Sequence, residues 1–207
     1  MLPLMFVGGP TGVTSDIQPN SSTGIDTYVN EDDATTNFGN GTNFSVDGSP
    51  SLRRNGLLKF DLSAFAGKTI LSATLTLYCT SGTPNPGTFK FHRILAAAAF
   101  TETGATWNLR NGVNKWPGDA AGDGGTDGGC SVAGTDYSAT VMGTLPTAGE
   151  PLGTPLTVSF DITEFTAMIA ANYGILMLAE HSNAVGFRSC EYGTAAQRPK
   201  LSVTYLP

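Results

Sequence analysis

From Ile25 to Ser63 the chain reads I-D-T-Y-V-N-E, then N-F-G-N-G-T-N-F-S-V-D, then R-R-N-G-L-L-K-F-D-L-S. Apolar and polar residues alternate with period two, so successive side chains of an extended backbone fall on opposite faces, and Asn and Gly stand where the chain must turn. Short half-buried strands joined by tight turns follow from this pattern. The run also carries Asp at the strand ends, and as a whole it points to a binding or packing surface rather than to a catalytic pocket.

The same alternation recurs downstream. In I-L-S-A-T-L-T-L-Y-C-T from Ile70, the residues Leu71, Ala73, Leu75, Leu77 and Cys79 face one way and Ser72, Thr74, Thr76 and Tyr78 the other. The following T-F-K-F-H-R-I-L predicts a hairpin from Leu71 to Ile94 with Phe89 and Phe91 pointing inward. Ile175 to Leu178 are apolar on both faces, which predicts a strand in the middle of a sheet that is covered on both sides. One short amphipathic helix is expected through T-E-F-T-A-M-I-A-A-N, and a long Gly-rich loop from Asn111 to Gly134 is either a binding loop or a contact to a neighbour. Nine or ten strands in 207 residues predict an all-β fold, a two-sheet antiparallel β-sandwich of residues 24–207 with one short helix.

Residues 1–23 are rich in Pro, Gly, Ser, Thr and Asn and read as an extended N-terminal arm. Its apolar tip, Leu2, Leu4, Met5, Phe6 and Val7, is expected either to clasp a neighbouring subunit or to fold back on its own domain. No basic region and no unbroken apolar run marks an export signal, and no segment is long enough to span a bilayer. With 14% charged residues and a net charge of −6, the chain is expected to repel nucleic acid. Three widely spaced cysteines, Cys79, Cys130 and Cys190, form neither a disulfide framework nor a metal-ligand spacing, and free thiols are expected.

Several motifs in order support a family resemblance: D-T-Y-V-N at 26–30, N-F-G at 37–39, R-R-N-G-L-L-K-F-D-L at 53–62 and A-T-L-T-L-Y at 73–78. F-T-E-T-G-A-T-W-N at 100–108, Y-G-I-L-M-L at 173–178 and R-P-K-L-S-V-T-Y at 198–205 continue it. Across residues 25–206 the chain resembles the DNRLRE, or disaggregatase-related, domain family. The resemblance implies a jelly-roll-like β-sandwich, similar in some members to carbohydrate-binding modules for acidic polysaccharides such as alginate. Members also occur in surface-anchored and viral proteins.

For catalysis the sequence offers little. Asp61, Asp161, Glu164, Glu180 and Glu191 are scattered, no nucleophile or metalloprotease motif occurs, and a non-enzymatic role is expected. Acidic-glycan binding needs aromatic platforms with cations nearby, for which Lys59, Lys90, His92, Trp107, Arg188 and Tyr192 are the candidates; the alternative is that the charges point outward and Trp107 packs under the loop. For Arg53 and Arg54, one buried ion-pair partner and one exposed charge are expected. Asp26, with Asp32 and Asp33, is the preferred place for a structural Ca²⁺, and Asp119, Asp123 and Asp127 a second, against simple solvated turn acids. Two functions fit. One is a virion-type structural protein, a capsid-decorating or fibre component of a tailed phage at the virion surface. It would bind neighbouring subunits as a homo-oligomer, in one version a trimer. The other is a carbohydrate-binding module for an acidic polysaccharide, placed outside the cell or on its surface.

Overall fold

The computed structural model describes residues 11–80, 87–119 and 127–207. In chain order its strands are β1 (Val13–Ile17), β2 (Ile25–Asn30), β3 (Asn43–Val46), β4 (Arg54–Lys59), β5 (Thr69–Tyr78), β6 (Gly87–Arg93), β7 (Gly143–Thr147) and β8 (Pro155–Ser159). The helix α1 (Ile162–Ala170) follows, then β9 (Ile175–Ala179), β10 (Val185–Arg188) and β11 (Lys200–Leu206). All pairings between strands are antiparallel: β1-β11-β5-β8 form a four-stranded sheet and β2-β4-β9-β6-β7 a five-stranded one. Strands distant in sequence become neighbours, as expected of a jelly-roll-like sandwich. A ribbon of β3 and β10 is tied to β4 by an Asp47–Arg54 bridge and to the end of β5 by a Cys79–Phe187 bridge, so it joins the two sheets.

The main core lies between the sheets. Leu75, Leu77, Leu201 and Val203 of the four-stranded sheet pack in one cluster with Leu58, Phe89, Phe91, Ile175 and Met177 of the other. Each such side chain contributes about 1.5–3 kcal/mol on leaving water. The helix α1 packs on β5 and β6 and buries Phe165 and Met168; the Asp161 carboxylate caps it by accepting the Glu164 N–H at 2.9 Å.

Three sequence expectations change. Within the stretch read as an irregular arm, Val13–Ile17 form β1, an edge strand whose pairing runs from Val13 opposite Tyr205 to Ile17 opposite Leu201. β5 and β6 make no hairpin, because β5 pairs with β11 and β8 while β6 pairs with β9 and β7 in the other sheet. Leu71 does not face the core. Thr204 opposes Ser72 and Tyr205 opposes Ile70, so Leu71 is the extra residue of a β-bulge and Ile70 is buried in its place.

Coverage of both faces of the five-stranded sheet was legible in the sequence. Leu58, Ile175 and Met177 face the main core, while Leu57 and Leu176 join Val29 and Ile94 in a second cluster on the outer face. Ala98, Phe100, Ala105, Trp107, Trp116, Cys130 and Tyr137 close that cluster from above, so the described parts of the Gly-rich stretch form a covering layer over the sheet. Glycine is required there. A Cβ on Gly128 would come within 2.6 Å of Trp107 Nε1, and Gly129, at φ +67°, donates its N–H to the Trp107 carbonyl at 2.8 Å. From the sheet, Asn55 Nδ2 donates to the Gly129 carbonyl at 2.8 Å, and the Arg53 guanidinium sits 5.0 Å from the Trp107 ring centroid. Arg53 is itself held by Glu31 through two bonds of 3.0 and 2.9 Å. Arg54 is half-buried as well, so neither arginine is the exposed charge expected of the pair. The fully buried Asp136 carboxylate accepts the N–H groups of Gly118 (2.8 Å) and Val132 (3.1 Å), pinning two points of the cover together.

Trp107→Ala is expected to destabilise the fold by about 3–5 kcal/mol, because the cover collapses onto an empty site. Gly129→Ala is expected to cost about 1–3 kcal/mol from the left-handed backbone, with the added crowding on top. Urea unfolding followed by tryptophan fluorescence reads both.

All three cysteines are free and buried, and burial pushes the Cys79 thiol up to about 11. Native protein is therefore expected to resist thiol-directed alkylation, with all three thiols reacting only after unfolding, as counted by mass spectrometry.

Candidate functional site

The edge strand β2 and the loop that follows it build a polar cleft with an aromatic floor. The Tyr28 ring stacks on Phe38 with centroids 4.3 Å apart and planes 18° apart. Around the pair, Asn37, Asn40, Gly41 and Asn43 line a cleft of about 270 Å³. Asn37 is an anchor: its Nδ2 donates to the carbonyls of Glu102 and Ala105, both at 2.7 Å, and its Oδ1 accepts the Gly39 N–H at 3.2 Å. Asn40 and Asn43 are exposed, so their amides face solvent across the cleft.

The end of β10 docks beside the cleft, on the loop that lines it. Ser189 Oγ donates to the Gly41 carbonyl at 2.7 Å and the Ser189 N–H to the Thr42 carbonyl at 3.2 Å, which docks this segment on the β2–β3 loop. Arg188 donates from Nη1 to Asn43 Oδ1 at 3.3 Å, and its guanidinium lies 3.9 Å from the Tyr192 ring centroid. The Tyr28–Phe38 stack and the exposed amides of Asn40 and Asn43 thus line the cleft, and the Arg188–Tyr192 pair adjoins it through Asn43. A sugar stacks its apolar ring face on aromatics and spends its hydroxyls on planar amides, and a carboxylate pairs with guanidinium.

Behind the cleft lies an acidic cluster. Ligand atoms of Asp26, Glu102, Cys190 and Glu191 all fall within 4.8 Å of one another. Asp26 Oδ2 accepts the Cys190 N–H at 2.7 Å, Glu102 Oε1 accepts the Asp26 N–H at 2.9 Å, and the Cys190 thiol donates to Glu191 Oε1 at 3.0 Å. Burial and the neighbouring Glu191 charge raise the Asp26 carboxyl to about 7. Burial also raises Glu102 and the Cys190 thiol above their ordinary values.

The structure brings together only part of the predicted set. Arg188 and Tyr192 meet. Lys59, Lys90 and His92 do share the outer face of the five-stranded sheet, but the covering layer occupies its centre. Lys90 is paired with Glu180, and Lys59 lines a separate cleft with Ile25, Asp61 and Asn172. His92 is buried with Nδ1 against the carbonyls of Ser138 (2.9 Å) and Thr140 (3.2 Å), and burial lowers its pKa. Trp107 is fully buried under Gly128 and Gly129, so it offers no platform to a sugar. Asp26 does sit in an acidic cluster, but Asp32 and Asp33 lie beyond the other end of β2, where Asp33 accepts from Asn30. Their places beside Asp26 are taken by Glu102, from the covering layer, and Glu191. In the second predicted set, Asp119 is buried and Asp123 lies outside the described residues. Leu2, Leu4, Met5, Phe6 and Val7, the apolar tip expected to bind a neighbouring subunit, also lie outside them. Sequence reasoning missed Tyr28, Phe38, Asn40 and Asn43, although the spacing of asparagines through N-F-G-N-G-T-N was a visible signal.

Among the described residues no helix is long and apolar enough to cross a membrane. No curated protein matches the chain. Residues 18–116 match the sequence model of Carbohydrate-binding module family 96, a stretch a little under half of the chain that runs from before β2 to Trp116. The match takes in Asp26, Tyr28, the asparagine-rich loop and Glu102, and it supports a carbohydrate-binding module.

Proposed function

We propose that this protein is a non-catalytic carbohydrate-binding module that grips a uronate-containing polysaccharide along the cleft of the β2–β3 loop and the adjoining end of β10. The observation that carries the reading is the cleft lined by the Tyr28–Phe38 stack and the amides of Asn40 and Asn43, which the Arg188–Tyr192 pair adjoins through Asn43. The family match over residues 18–116 supports the binding class. A single guanidinium amid amides fits one sugar carboxylate with hydroxyls on either side, rather than a densely charged polymer. The chain's net charge of −6 would repel the latter at long range.

Arg188→Ala and Tyr192→Ala are each expected to weaken binding to uronate polymers about tenfold, or ~1.4 kcal/mol, with Asn40→Ala weaker in effect. Native affinity electrophoresis through gels containing alginate, pectin or a neutral glucan reads this. Retardation by a uronate polymer that fades with added salt supports the reading. Retardation by neutral glucan alone removes the role given to Arg188, and free migration through every gel overturns the proposal.

A further inference from the structure

The acidic cluster behind the cleft is costly as it stands. Asp26 is only 4% exposed, and among the described residues neither its Oδ1 nor the buried Glu191 Oε2 has a hydrogen-bond partner. Burying a carboxylate without a counter-charge is strongly unfavourable, and orphaned buried acceptors are rare enough to require a cause. Among the described residues the ion pairs lie elsewhere, at Glu31–Arg53, Glu180–Lys90, Glu164–Arg93 and Asp16–Lys200, and none involves Asp26, Glu102 or Glu191. Three carboxylates therefore converge from β2, from the covering layer and from the segment after β10 with no side-chain cation between them.

We propose that Asp26, Glu102 and Glu191 bind a hard divalent cation of the Ca²⁺ type, which cross-links these three segments behind the cleft. The donor atoms within 4.8 Å of one another, with Asp26 Oδ1 and Glu191 Oε2 unengaged, supply the oxygen-rich set such an ion takes. The Cys190 thiol, a hydrogen-bond donor to Glu191, orients that carboxylate as a neutral neighbour of the site. The site stands on these contacts alone and does not depend on the glycan reading.

The test is thermal unfolding of chelator-treated protein titrated separately with Ca²⁺, Mg²⁺ and Zn²⁺, with Ca²⁺ stoichiometry from calorimetry and no glycan present. Saturating Ca²⁺ is expected to raise the midpoint by about 5–10 °C at a hundredfold excess over its Kd, with one ion per chain. Asp26→Asn and Glu191→Gln are each expected to abolish that response, while Asp32→Asn/Asp33→Asn keeps it. Glu191→Gln, at a half-buried position, secures the comparison should Asp26→Asn fail to fold. A wild-type midpoint indifferent to Ca²⁺ overturns the proposal. So does a Ca²⁺ response that survives in folded Glu191→Gln, or a response to Zn²⁺ alone.

Discussion

The burial of the outer face of the five-stranded sheet is the constraint on which the rest of this structure depends. A sheet of this kind packs one face against its partner sheet and leaves the other for solvent or ligand. Here the segment carrying Trp107, Trp116, Cys130 and Tyr137 fills the other face, and Arg53 and Asn55 reach up from β4 to hold it down. The consequence is geometric. With the broad face occupied, aromatic and amide groups gather at the edge, where β2 has no strand beyond it and the loop to β3 folds back over Tyr28.

Much of this architecture was legible in the sequence, and for identifiable reasons. Period-two alternation located the strands, and the unbroken apolar run at Ile175 to Leu178 disclosed a strand covered on both faces, now seen as β9 at the centre of its sheet. Pairing was not legible. An alternating strand states which residues face inward but not which strand lies beside it, so β5 and β6 were read as a hairpin although they belong to opposite sheets. A bulge is equally silent, because Leu71 differs from its neighbours only in having no partner across the ladder.

The candidate site was half legible for a related reason. Arg188 and Tyr192 are close in sequence and met; Asp26 was singled out, but Glu102 reaches it only because the covering layer returns to β2 after more than seventy residues. Trp107 was left between two readings, a sugar platform or packing under the loop, and the second holds. An aromatic next to a Gly-rich stretch suits a sugar platform as well as a packed core, and only the glycines lying against its ring decide between them.

Cleft and acidic cluster share their supports. Asn37 bonds the carbonyl of Glu102, Ser189 bonds Gly41, and Cys190 and Glu191 lie between Ser189 and Tyr192, so the segments that build the cleft and dock beside it are also the arms of the cluster. A charge bound at Asp26, Glu102 and Glu191 would fix the spacing of those segments without touching the ligand. Its effect on glycan affinity would come through ordering of Asn43 and Arg188 before binding, which lowers the entropy lost when the complex forms. Neutralising three carboxylates beside Arg188 would also leave that guanidinium less screened by its own protein, and so better able to attract an acidic sugar. Stability and recognition would then rest on the same few backbone segments.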